Sequence, residues 1–242
     1  MPVSRYNQMS DSQARTHVQP APRWLLISGI GLAAIAGYVN AATLIGTYHV
    51  PISHMSGAVA RVSIDAVNGD LGELVIAALL FASFLAGAVL SGTVIGSDKL
   101  MPGRRYGATL LIEAVALTIA AWAFMHQDHR AAYWAALACG IQNAMATSYC
   151  GLVIRTTHVT GIVTDIGILI GHWLRHRREE PWRMLFLSGL LLGFALGGAA
   201  GAAAWRWLGL YAMWPAAAVV GMAGCGYLLW RRHHPGDYGN AW

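Results

Sequence analysis

Two histidines in this chain stand in the same local setting. His54-Met55-Ser56-Gly57 and His158-Val159-Thr160-Gly161 each place an imidazole two residues before a hydroxyl and three before a glycine, 104 residues apart. Imidazole changes charge in the physiological pH range, so such a pair could carry protons. The plain alternative is a packed histidine hydrogen-bonded to backbone. Four charged groups lie near them in otherwise apolar sequence: Arg61, Asp65, Glu113 and Asp165. Counted from each histidine, Arg61 and Asp165 occupy equivalent positions, seven residues on. Opposite charges at equivalent positions predict that the two approach one another or a shared ligand, the alternative being an ion pair that only holds the structure in register. Glu113 has no acidic counterpart and reads as a proton site or a partner for Arg61.

Asn40, Gln142 and Asn143 add amide groups to apolar stretches, either as interhelical hydrogen bonds or as the lining of a polar pathway. Ser56 and Thr160 are expected to cap a half-helix, whose N-terminus could then meet an anion or a dipolar substrate. Gly57 and Gly161 complete the candidate pathway. No Gly-rich phosphate loop, His-Glu-x-x-His helix or nucleophile elbow occurs, so no catalytic residue, metal or cofactor is expected and the chain is not read as an enzyme. His172 and His176 lie one helical turn apart but adjoin the basic run 175–178, which reads as a helix end facing lipid headgroups. Cys139, Cys150 and Cys225 all fall in apolar segments, without the close pairing of a disulfide framework or zinc site.

The elements that must position these residues follow from composition. Hydrophobic residues make up 56% of the 242 and charged residues 11%, against about 25% charged in a soluble domain. No Asp, Glu, Lys or Arg occurs in 24–60, 74–97, 131–154, 184–205 or 207–230, and 106–125 contains only Glu113. Each stretch meets the roughly 20 apolar residues that a membrane-crossing helix needs. These stretches are apolar all round, which excludes a soluble helical bundle with polar stripes. The reading is an all-α polytopic membrane protein.

Its order repeats. Gly37-Tyr38-Val39-Asn40-Ala41 returns as Gly140-Ile141-Gln142-Asn143-Ala144, then the histidine motif returns, then 79–96 aligns with 185–202, at offsets of 103, 104 and 106 residues. That alignment sets Gly87 opposite Gly193 and Gly92 opposite Gly198. Each half then holds an apolar helix, a motif helix, a Gly-rich helix and a final apolar helix: about 24–47, 52–69, 72–97 and 106–126, followed by 131–154, 157–175, 183–206 and 209–230. Gly189, Gly193, Gly197 and Gly201 form a packing ridge on one face. The domain organisation is a polar, disordered cytoplasmic tail (1–23), one transmembrane domain (24–230, repeats 24–126 and 131–230) and a cytoplasmic C-terminal tail (231–242). The tail carries no secretory signal pattern.

If both motif helices are broken or re-entrant, six full spans remain and the halves are inverted. If both cross, there are eight spans and the halves run parallel. With six spans and a cytoplasmic N-terminus, 13 of the 16 basic residues fall inside and 3 outside. With eight, 10 and 5 fall on the two sides and Arg61 lies within the membrane. Positive charge collects on the cytoplasmic side, which favours six, and both arrangements put both termini inside. The net charge of +5 is therefore topological bias, and no nucleic-acid partner is expected.

These same residues carry a resemblance. The Gly-Tyr-Val-Asn-Ala helix, the His-Met-Ser-Gly segment, and the later Gly-Ile-Gln-Asn-Ala and Thr157-His158-Val159-Thr160-Gly161 segments resemble the YoaK-like family of bacterial inner-membrane proteins, named for a domain of unknown function (number 1275). The likeness runs over about residues 24–230. The family commonly has Asp where Asn40 stands and Asn where Ala58 stands. The resemblance implies a multi-pass inner-membrane protein and supplies no substrate. The functional expectation is a secondary transporter or permease for a small solute, with proton coupling an option. The alternative is a non-transporting membrane scaffold or partner protein. Its partners are then the lipid bilayer and a small solute, and a homo-oligomer stays open.

Overall fold

The computed structural model describes residues 23–46, 52–96, 104–147, 156–175 and 181–234. Among them the chain forms eight α-helices and no strand: α1 (Arg23–Ile45), α2 (Met55–Asn68), α3 (Leu71–Ile95), α4 (Arg104–Met125), α5 (Arg130–Thr147), α6 (Val159–Leu174), α7 (Pro181–Leu208) and α8 (Trp214–His233), with a 3-10 turn at Gly209–Tyr211 before α8. Among the described residues four segments are long and apolar enough to cross a membrane: Leu26–Ile45, Leu71–Ile95, Arg104–Met125 and Pro181–Tyr211; α5 and α8, which the sequence reading counts as spans, are not among them. The motif helices are shorter, 14 residues for α2 and 16 for α6. At 1.5 Å per residue they span about 21 and 24 Å, short of a hydrocarbon core of about 30 Å.

Local chemistry sets the helix ends. Gly69 takes a left-handed φ of 74° at the end of α2, a conformation that suits a residue without Cβ, and its N–H bonds the Asp65 carbonyl. Asp70 then caps α3, accepting the Glu73 N–H at 3.2 Å. Pro181 and Pro215 stand in the first turns of α7 and α8, where a missing N–H costs no hydrogen bond. In the short link between α4 and α5, Arg130 donates to Asp128 through its backbone N–H and its Nε. Those bonds hold the Asp128 carboxyl below the usual aspartate range.

Some expected boundaries move. The last helix begins at Trp214 and not at 209, because Gly209 adopts φ 55° and a 3-10 turn intervenes before Pro215 restarts the helix. It also runs through Arg231–His233, residues that the sequence pattern assigns to the tail. Residues 52–54 form the turn ahead of α2, so its expected start shifts to Met55. The expected N-terminal tail (all but its last residue), the end of the C-terminal tail from 235, segment 148–154, His176 and Cys150 lie outside the described residues.

Helix senses follow from their contacts. Cβ atoms placed on Gly193, Gly197 and Gly201 of α7 would strike the Ile30, Ala34 and Tyr38 carbonyls of α1 in turn. The two helices therefore advance together, and the expected glycine ridge is what lets them approach. At their far ends, Phe124 of α4 meets Trp205 of α7, ring centroids 5.5 Å apart, and lies against Gly46 at the end of α1. So α1, α4 and α7 all point one way. Helix α8 runs against them: Gly224 packs on Leu110 and Leu111 of α4, and Leu228 on Gly107. The tight turn after α4 sends α5 back as well. Arg105 at the start of α4 bonds the Ile95 carbonyl at the end of α3 at 3.3 Å, so α3 also descends.

One contact occurs twice. Gly37 of α1 sits on the Phe194 carbonyl of α7, and Gly140 of α5 sits on the Phe84 carbonyl of α3; in return Gly197 meets Ala34 and Gly87 meets Leu137. This corrects the expected register: Gly87 matches Gly197, one helical turn beyond Gly193. Glycine recurs every four residues in α7, so a slip of one turn again sets Gly87 on a glycine, while Gly92, expected opposite Gly198, then falls on Ala202. The partner's carbonyl selects the register. The main core lies among α4, α5 and α8, closed by Val39 and Ala42 of α1, with Phe124, Leu117, Ile141, Met145, Met213 and Val220 among its buried side chains. A second cluster of Ala33, Ile162, Phe186 and Leu190 seats α6 against α1 and α7.

Candidate functional site

Each motif helix is tied at its entrance to an asparagine on the preceding long helix. Asn40 Oδ1 accepts the Ser53 hydroxyl at 2.9 Å, just ahead of α2. Asn143 Oδ1 accepts the Thr157 hydroxyl at 3.0 Å and the Thr157 N–H at 3.3 Å, just ahead of α6. All four residues are buried. A polar group buried here needs a partner, and each of these finds it in the strand of chain that would otherwise leave the helix free to drift. Gln142, beside Asn143, reaches across to the Leu32 carbonyl of α1 at 2.6 Å and to the Thr156 hydroxyl at 3.2 Å. The amides therefore act as interhelical ties, one of the two roles expected for them, while Asn143 also lines the space described next.

Both motif helices begin at one cavity of about 660 Å³, lined from one side by Ser53, His54, Met55 and Ser56 and from the other by Thr157, His158, Val159 and Thr160. Phe84 and Ala88 of α3, with Asn143, Ala144 and Thr147 of α5, form the remaining wall. Phe84 and Ala88 are the residues on which Gly140 packs, so the cavity lies beside the α3–α5 crossing. His54 rests edge-on to Phe194, centroids 6.5 Å apart, and its Nδ1 lies 3.2 Å from the Ser53 hydroxyl. The His158 ring folds back over Gly161, where a Cβ would strike Nδ1. Gly57 has open space at the same point, so only at Gly161 would a side chain push its histidine ring aside.

Several expectations are corrected here. Ser56 and Thr160 do not cap α2 and α6: they lie inside the first turn, and His54 and His158 hold the cap positions without a side-chain cap bond. The hydroxyls sit two residues past the cap position, too late to reach back over the helix end. Arg61 does not meet Asp165. It pairs with Glu73 at 3.6 Å, both side chains exposed, because α2 folds back along α3 and presents Arg61 to the start of that helix. Asp165 is exposed on α6, apart from the cavity lining. Asp65 is buried one turn beyond Arg61 with Oδ2 unpaired, and Glu113 is fully buried in α4 with Oε2 unpaired. Neither belongs to the cavity lining, and the alternative of a Glu113–Arg61 pair is replaced by Arg61–Glu73.

Thus His54, Ser56, His158, Thr160 and Asn143 come together; Asn40 supports them from behind; Gly57, Arg61, Asp65, Glu113, Gln142, Gly161 and Asp165 stand outside the lining. Ser53 and Thr157 join the site although the sequence pattern singles out neither as a site residue, Thr157 standing only within the second motif string. A hydroxyl directly before each histidine was the available signal. Phe84, Ala88 and Thr147 carried none, since apolar or small residues on long helices look alike until packed. Among the described residues no group of three or more His, Cys, Asp or Glu could hold a metal, and Cys139 and Cys225 are free.

Apolar helices of crossing length, bound by buried amides and glycine contacts, define an all-α membrane protein. The chain belongs to the family described as "Protein of unknown function (DUF1275)", which matches residues 28–226, in agreement with the resemblance carried by its motifs. No curated protein and no solved structure matches it.

Proposed function

We propose that this chain is a permease of the bacterial inner membrane, with a small solute held in the cavity between His54 and His158. The carrying observation is that both histidine motifs, 104 residues apart in sequence, open onto one space of about 660 Å³, within the size range of ligand pockets. The architecture we propose has six crossing helices in two inverted halves, α1 to α4 and α5 to α8, with α2 and α6 re-entrant. The opposite senses of α1 and α5, the shortness of α2 and α6, and the repeated glycine and asparagine contacts support it. Both ends of the chain are then cytoplasmic. Inverted halves with discontinuous helices meeting near the bilayer midplane are a recurrent transporter plan. Proton coupling would run through the two imidazoles.

Proteoliposomes loaded with candidate solutes test this reading. Ala88→Phe, which fills the cavity, is expected to abolish flux that the unaltered protein supports, and Asp165→Asn to leave it unchanged. Equal flux through the filled variant removes the cavity from the pathway. Flux indifferent to pH from 5 to 8 removes the imidazoles from coupling. A second reading, a non-transporting scaffold, is favoured by the fact that Asn40, Gln142 and Asn143 all bond within the bundle. Absence of flux for every anionic, neutral and cationic solute would support that reading.

A further inference from the structure

The core holds a carboxyl that neither the cavity nor the helix ties use. Glu113 lies about 14 Å along α4 at 1.5 Å per residue, near the middle of a hydrocarbon core of about 30 Å. It is fully buried, and its Oε2 has no hydrogen-bond partner. Leu110 and Leu117, one turn to either side, belong to the main core, and Ala114 beside it lies against Gly221 of α8.

The elements packed on α4 bring it no countercharge. Among the described residues no cation acts on Glu113. Helix α5 offers the Cys139 thiol, close enough for the two groups to act on each other. Tyr133 stands six residues earlier on α5, and Arg130 is held by Asp128 at the far end of α4. On α8, Arg231, Arg232 and His233 lie beyond Leu228, which packs on Gly107, six residues before Glu113. Tyr227 lies against the same Gly107, and Cys225 is exposed. The one charge of α3, Glu73, pairs with Arg61, and Tyr211 of the 3-10 turn is exposed. On α4 itself Arg104, Arg105 and Tyr106 stand seven or more residues earlier.

A carboxylate charge without a partner is disfavoured at this depth. Glu113 is enclosed and outside the cavity lining, so the ligand it can take without repacking is a proton. We propose that Glu113 is an intramembrane proton-binding site whose proton holds α4 against α5. The link to the cavity runs along α5. The Cys139 carbonyl accepts the Asn143 Nδ2 at 2.9 Å, and Asn143 in turn ties Thr157 and lines the cavity. Loss of the proton sets a charge against the buried face of α5, one turn from the cavity wall. This goes beyond the permease reading and does not need it, since proton binding is read on the purified protein.

Infrared difference spectra of the protein in lipid nanodiscs, from about pH 6 to about pH 10, follow the C=O band of a protonated carboxyl where exposed carboxylates stay ionised. In parallel, Cys139 is labelled with N-ethylmaleimide in a background free of Cys150 and Cys225. The unaltered protein is expected to show the band and to lose it reversibly as pH rises. Its Cys139 should then label about tenfold faster than in Glu113→Gln at the same pH, because the α4–α5 contact opens. Glu113→Gln removes the band. Glu113→Asp keeps an acid and shifts the band, and it serves should the amide variant not fold. A band absent at about pH 6, retained in Glu113→Gln, unshifted in Glu113→Asp or lost in Asp65→Asn overturns the proposal. A band unchanged up to about pH 10 makes Glu113 a fixed structural acid and overturns proton exchange. Equal labelling of Cys139 with and without the carboxyl overturns the hold on α5.

Discussion

Asn143 holds Thr157 through two atoms at once: its side-chain oxygen accepts the threonine hydroxyl at 3.0 Å and the threonine N–H at 3.3 Å. Asn40 holds Ser53 by one bond at 2.9 Å. These ties set where α6 and α2 begin, and so where His158 and His54 stand. The cavity depends on them although Asn40 never lines it.

Loss of the tie should cost stability in proportion to the bonds it makes. Polar side-chain bonds in membrane bundles are worth about 0.6 to 2 kcal/mol. Asn143→Ala is therefore expected to destabilise by about 2 kcal/mol and Asn40→Ala by about 1 kcal/mol. Unfolding in mixed micelles measures both. A double-mutant cycle with Thr157→Val should show coupling; strictly additive losses would mean that the contact contributes nothing.

The glycine contacts give a sharper contrast. Gly37 and Gly140 each face a backbone carbonyl where a Cβ belongs, whereas Gly92 and Gly226 face open space. Ala at 37 or 140 is expected to cost about 1–3 kcal/mol, the usual range for overpacking. Ala at 92 or 226 should be neutral or mildly stabilising, since helical glycine is disfavoured by about 1 kcal/mol. Equal losses at all four sites would refute the close approach of α1 to α7 and of α3 to α5.

Glu113 is 1% exposed with Oε2 unpaired. A buried polar group without a hydrogen bond costs about 1–3 kcal/mol, so Glu113→Leu is expected to stabilise the folded protein, read as a higher unfolding midpoint in nanodiscs. Destabilisation by this substitution would point to a partner for the carboxyl in the working state, and a parallel loss of flux would bring Glu113 into the pathway.

The inverted arrangement proposed for this chain predicts which loops share a side. Single cysteines at Asp70 and Arg175, in a background free of Cys139, Cys150 and Cys225, should be labelled by an impermeant maleimide from opposite sides of sealed vesicles. Labelling of both from one side would favour eight spans with parallel halves.

The sequence alone determined the class of structure, because transfer of about 20 apolar residues into a bilayer is a local property that needs no partner. It also determined the paired motifs, since His54 with Ser56 and His158 with Thr160 are visible as strings. Ion-pair partners, caps and register were decided by tertiary structure. Arg61 and Asp165 match by position, yet a charge pairs with whatever the packed neighbour brings near, and α2 brings Arg61 to Glu73. By sequence Gly87 aligns with Gly193 and Gly92 with Gly198, yet the Leu137 and Ala34 carbonyls give Gly87 the setting of Gly197. The meeting of the two histidine motifs at one cavity belongs to the same class of fact. A string records which residues repeat; only the close packing of helices fixes which of those repeats touch.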